Sequence, residues 1–185
     1  QALEAGLPTK RVESWRYVPT RSLTRTGWQP ATPQTTERFA LTGGRFSNIP
    51  EVGGLKVTDA KLTPDEQRRL KGMSEAHGFG LTQAALDHSL LILTVQGKAS
   101  ARINLDHLAN EASSAGFATL VFRLEAGAQL TFVEQFEATV VEKSNLSSLR
   151  CVITLSRDAS VTHVRFQAAN AAAHIFSNID VSCCE

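Results

Sequence analysis

The chain has 185 residues, 42% of them hydrophobic, and its 19 basic and 18 acidic side chains leave a formal net charge of +1. Such a chain can bury one sizeable core, or a small domain joined to part of a larger one, and its balanced charge excludes the one-signed field of a nucleic-acid or acidic-membrane binder. The longest apolar run, Leu90–Val95, falls far short of the ~20 residues that span a bilayer, and the first residues lack the charged-then-apolar order of a signal segment. Cys151, Cys183 and Cys184 are odd in number and two are adjacent, unlike the disulfide framework of a secreted domain, so a reducing cytoplasm is the expected compartment.

Gly6 to Leu23 reads as a short helix followed by an irregular arm, because Pro8 and Pro19 limit any helix to about two turns. Pro30, Pro33 and Pro50, with the glycines between Gly27 and Gly54, favour short strands and loops. Thr63 as N-cap, Pro64 at the first helical position and Asp65 and Glu66 in the first turn then start a helix, which Gly72 is expected to stop. A second helix is expected from Thr82 to His88. Residues 1–88 thus form a mixed α/β lead-in, with residues 89–185 as a second region.

After Ser89 the texture changes. Apolar runs recur at Leu90–Val95, Ala118–Leu124, Leu130–Phe136, Cys151–Leu155, Val161–Phe166 and Ile175–Val181, and they read as strands. The breaks between them are too short for crossover helices, which leaves a sandwich, a jelly roll or a solenoid. Residues 120–138 align without gaps on residues 151–169 at an offset of 31, pairing Val121 with Val152, Leu124 with Leu155, Ala128 with Ala159, Thr131 with Thr162, Val133 with Val164 and Ala138 with Ala169. A repeat of this kind suits a β-solenoid, in which each rung buries its inward residues on the next. A third copy would begin at Ser182 and Cys183, so the native polypeptide is expected to continue past Glu185.

The opening GLPTKRVESWRYVPTRSL resembles that of the SufD family of iron–sulfur cluster assembly scaffolds: Gly6, Leu7, Pro8, Thr9, Lys10, Arg11, Glu13, Trp15, Arg16 and Tyr17 follow the family order, and Val18-Pro19-Thr20 departs from it. FRLEAGAQLTFVEQF and ITLSRDASVTHVRFQ also resemble that family's turn-and-strand pattern. The resemblance implies a mainly β fold, a right-handed parallel β-helix preceded by a small mixed α/β N-terminal region. It further implies a non-catalytic scaffold that pairs with a SufB-like homologue and docks a SufC-like ATPase. In that family the residues that handle the cluster belong to the C-terminal half. The resemblance therefore implies no catalytic, cofactor-binding or metal-binding residue in this chain, and no cluster bound by it alone.

Cys183 and Cys184 are the sharpest candidates for chemistry, since thiolates are favoured cluster ligands. Neighbours in a strand point to opposite faces, however, so one of the two is expected to face the core, and Cys151 reads as core packing. His77, His88, His107, His163 and His174 form no pair with metal-ligand spacing and read as structural or surface histidines. Glu125, Glu134, Glu137 and Asp158 could supply the carboxylate couple of a carbohydrate-active β-solenoid enzyme, though solvated strand faces look the same. A small-molecule-binding jelly roll is a third reading. No Gly-x-Ser-x-Gly, Walker A or Gly-x-Gly-x-x-Gly pattern occurs. Trp15 and Tyr17 with Arg11 and Arg16 could form a docking surface, or Trp15 could pin the arm to the chain's own body.

Overall fold

The computed structural model describes residues 29–30, 38–76, 83–84, 89–109, 114–138, 144–168 and 173–184. The expected arm at Gly6–Leu23 lies outside the described residues, as does nearly all of the expected second helix at Thr82–His88.

The strands in chain order are β1 (Gln29–Pro30), β2 (Ala40–Thr42), β3 (Arg45–Ser47), β4 (Leu55–Val57), β5 (Leu90–Val95), β6 (Ser100–Ala109), β7 (Ser114–Leu124), β8 (Gln129–Ala138), β9 (Asn145–Leu155), β10 (Ser160–Ala168) and β11 (Ala173–Cys183). One helix, α1 (Pro64–Ala76), precedes β5 among the described residues. From β5 onward the chain alternates between two sheets. The first runs β11-β9-β7-β5-β4, with β1 also paired to β7, and the second runs β10-β8-β6-β2-β3. Within each sheet the long strands pair in parallel with the strand two places earlier, so the architecture is mainly β with two mostly parallel sheets.

The offset of 31 is a register. Val121 pairs with Val152 and Leu124 with Leu155 in the first sheet, and Thr131 pairs with Thr162 and Val133 with Val164 in the second. The connecting turns repeat as well. Ala99, Ala128 and Ala159 each donate their backbone N–H to the carbonyl three residues earlier, at 3.0 Å. The residue before each alanine, Lys98, Gly127 or Asp158, takes a positive φ of 60°, 76° or 59°, the conformation that lets so tight a turn close. Successive turns are bonded to each other through Gln129 N–H to the Ala99 carbonyl and Ser160 N–H to the Ala128 carbonyl.

Alternation along each strand sorts the side chains. Leu93, Phe122 and Ile153 form one inward column of the first sheet and Val95, Leu124 and Leu155 another. Ile103 and Phe132 face them from the second sheet, and the Phe122 and Phe132 rings meet edge to face at 5.0 Å. The outward column Ile92, Val121 and Val152 is covered by Leu70 and Met73 of α1, which leaves β7 and β9 buried on both faces.

Arginines fasten that helix down. Arg123 grips Glu66 through two bonds of 2.7 Å, and Arg69 reaches Asp180, Thr154 and Ser182 across two strands. Thr63 and Glu66 bond reciprocally in a capping box. The helix runs through Gly72 to Ala76 rather than stopping at Gly72. Burial of Met73 and Ser74 directly after it outweighs the ~1 kcal/mol that glycine costs inside a helix.

At the N-terminal end of each sheet the edge is short. The three-residue strands β3 and β4 run antiparallel to β2 and β5, an arrangement that offers little backbone to a further strand. The β2–β3 turn rests directly on β7, where a Cβ on Gly116 would stand 2.6 Å from the Gly44 nitrogen.

Candidate functional site

Midway along β8 the inward position falls to a carboxylate. Glu134 pairs in register with Leu105 of β6 and Arg165 of β10, and its side chain is wholly buried between the sheets. A lone carboxylate there would be expelled or protonated. It is retained because four donors converge on it. His107 Nε2 lies 2.9 Å from Oε1, His163 Nε2 lies 2.6 Å from Oε2, and Arg165 places Nη2 at 2.7 Å and Nε at 3.2 Å from Oε2.

An ionised carboxylate only accepts hydrogen bonds, so each imidazole carries its hydrogen on Nε2. The first sheet completes the cluster, with Ser147 Oγ 3.4 Å from His107 Nδ1 and Ser177 Oγ 2.6 Å from Arg165 Nη2. Aromatic faces hold the donors in place: His107 stacks on Phe136 at 3.9 Å, His163 stacks on Phe132 at 5.1 Å, and the Arg165 guanidinium lies over Phe136 at 5.4 Å.

Burial alone would push the Glu134 carboxyl up. Hydrogen bonds from His107 and His163, with help from Arg165, overcome that and hold it well below the usual carboxylate range. The cluster is thus a fixed, ionised clamp joining β6, β8 and β10 to the opposite sheet. It reaches solvent only through His163 and Arg165, whose side chains are 23% and 28% exposed.

The other sequence candidates are scattered. Glu125 sits in the turn after β7 and accepts the Gly97 N–H at 2.8 Å. Asp158 sits in the turn after β9, beside Arg157 on the exposed surface. With Glu134 sealed inside, these three carboxylates form no couple across a cleft. The Glu137, His77 and His88 side chains and Trp15, Tyr17, Arg11 and Arg16 lie outside the described residues. His174 is half-buried at the start of β11, and desolvation lowers its pKa. Among the described residues no group of three or more His, Cys, Asp or Glu is arranged to hold a metal ion.

Cys151 is buried and burial pushes its thiol far up, whereas Cys183 and Cys184 are both exposed and free. One of the pair faces inward, as expected, but it is not covered. Cys183 does share the column of Leu155, but β11 is the last strand of its sheet and its inward side chains remain partly uncovered. Titration of the native protein with a thiol-specific disulfide reagent should therefore modify about two thiols promptly and the third only after denaturation. Prompt modification of all three would contradict the burial of Cys151.

Sequence reasoning saw His107, His163 and Glu134 singly and missed Arg165. The signal was present, because an offset of 31 from Glu134 lands on Arg165 and puts opposite charges in register.

No family model matches the chain. The chain is similar to the iron–sulfur cluster assembly protein SufD of Escherichia coli (strain K12). The two are 24% identical over 210 aligned positions, covering 98% of this chain and 47% of SufD. The relation is distant, and the chain spans about half the length of that relative. No helix among the described residues is long and apolar enough to cross a membrane.

Proposed function

We propose that this chain is part of a non-catalytic scaffold for iron–sulfur cluster assembly, acting through protein surfaces beside a SufB-like homologue and a SufC-like ATPase in the cytoplasm. The observation that carries the reading is the similarity to SufD, which runs over nearly the whole chain. The geometry is compatible with it. The enclosed group of titratable side chains around Glu134 is spent on holding two sheets together, with its carboxylate ionised. The alternation of strands between two sheets, with parallel pairing at a fixed offset, further supports reading the fold as the opening rungs of a right-handed parallel β-helix.

The test is co-expression of the full natural protein, affinity-tagged, with the SufB-like and SufC-like proteins of its own source. Recovery of a stable complex of all three supports the scaffold reading. A folded, tagged protein that recovers neither partner removes it. The chain by itself, supplied anaerobically with iron and sulfide, should carry no visible charge-transfer absorption through gel filtration, since it offers only three cysteines, one of them enclosed.

A further inference from the structure

The outer face of the second sheet carries a groove of about 630 Å³ between the sheet and the segment that holds Phe39, Asn48 and Pro50. Its floor crosses β6, β8 and β10. The cationic end belongs to β6, where Arg102 is exposed and has no hydrogen-bond or ion-pair partner among the described residues. The one carboxylate among the described lining residues, Asp106, is already matched by Arg38 at 3.4 Å. The apolar end belongs to β10, where the Phe166 ring is 56% exposed although it lies on a strand. Asn104 and Gln135 line the path between them, and Asn104 is an exposed amide with donor and acceptor groups.

A cation with no partner among the described residues, an exposed aromatic ring and an intervening amide make a surface complementary to a chain that is anionic at one point and apolar at another. We propose that this groove binds an extended acidic segment of a partner protein, with a Glu or Asp of the segment on Arg102 and an aromatic side chain on Phe166. The spacing follows from the sheet. Arg102 and Phe166 stand two strands and four residue positions apart, a diagonal of ~16 Å, which about five residues of extended peptide would cover. The groove's half-open form suits a peptide laid along it better than an enclosed small molecule. This inference stands apart from the iron–sulfur reading and needs neither iron nor the proposed partners.

The experiment is calorimetric titration of the purified protein with the blocked peptide Glu-Glu-Ser-Gly-Ser-Phe, with a Lys-Lys analogue and with an analogue ending in Ala. The parent peptide should bind weakly but saturably, with a Kd no tighter than about 1 mM, as one exposed ion pair and one aromatic contact allow. Either analogue should bind at least about fivefold more weakly to the unaltered protein, a readout that no variant's folding affects. Arg102→Ala and Phe166→Ala should each weaken the parent peptide to a similar extent, and raised salt should mimic the first. Equal binding of all three peptides, or no saturable heat at a peptide concentration about ten times that Kd, would overturn the proposal. So would full competition by acetate at the peptide's own concentration, which would reduce the site to a simple anion contact.

Discussion

Glu134→Ala should cost about 3 kcal/mol or more of folding stability, because it leaves the enclosed His107 N–H without its acceptor and takes from the partly exposed His163 and Arg165 the carboxylate they share, with only Ser177 left to Arg165. In a chain of this size that is a fall in Tm of roughly 6 °C or more. Glu134→Gln should lose less, since the amide oxygen still accepts. Replacing Glu134 by Leu and Arg165 by Met together should recover much of the loss, because removing both partners leaves no unpaired charge. The clamp also sets a pH dependence. The folded-state carboxyl lies below its ordinary value of 4.5, so its contribution is complete above that pH and fades as the pH falls through the folded value. Urea midpoints measured between pH 7 and pH 3 should therefore drop more steeply for the unaltered protein than for Glu134→Gln. A Glu134→Ala loss below 1 kcal/mol, or parallel pH profiles, would show that the cluster contributes little.

Phe122→Ala should be of similar size through unrelated physics. The ring is fully enclosed, stacked in register between Leu93 and Ile153 and set edge-on against Phe132 of the facing sheet. Truncation removes its transfer free energy and leaves a cavity that two hydrogen-bonded sheets have little freedom to close, for a total of about 3–5 kcal/mol. Phe122→Leu should cost distinctly less. Val57→Ala, at a side chain 53% exposed on an edge strand, should stay within about 0.5 kcal/mol. Denaturant midpoints decide it. Losses of equal size at Phe122 and Val57 would mean that the two sheets do not share a packed interior.

What could be read from the chain was local or periodic. The α1 start is written in Thr63, Pro64 and Glu66, because a helix N-terminus is satisfied by its own first residues. The strand runs and the offset of 31 give the pairing of β7 with β9 and of β8 with β10, because stacked repeats place like side chains on like. Strand β6 was not among the runs read as strands. A search for apolar runs passes over it, although its Ser-Ala-Arg-Ile-Asn-Leu-Asp-His alternates polar and apolar residues as a strand with one face on the core does.

The sequence by itself determined a mainly β chain with a capped helix ahead of repeated strands, since those features depend on neighbours and on period. Only the tertiary structure decided that Gly72 lies within a helix, that Cys183 is exposed, and that Glu134, His107, His163 and Arg165 form one cluster. Each of these turns on which distant surface covers the residue. For the cluster the reason is register: residues 27, 29 and 31 positions from Glu134 in sequence become its nearest partners only when three parallel strands lie side by side.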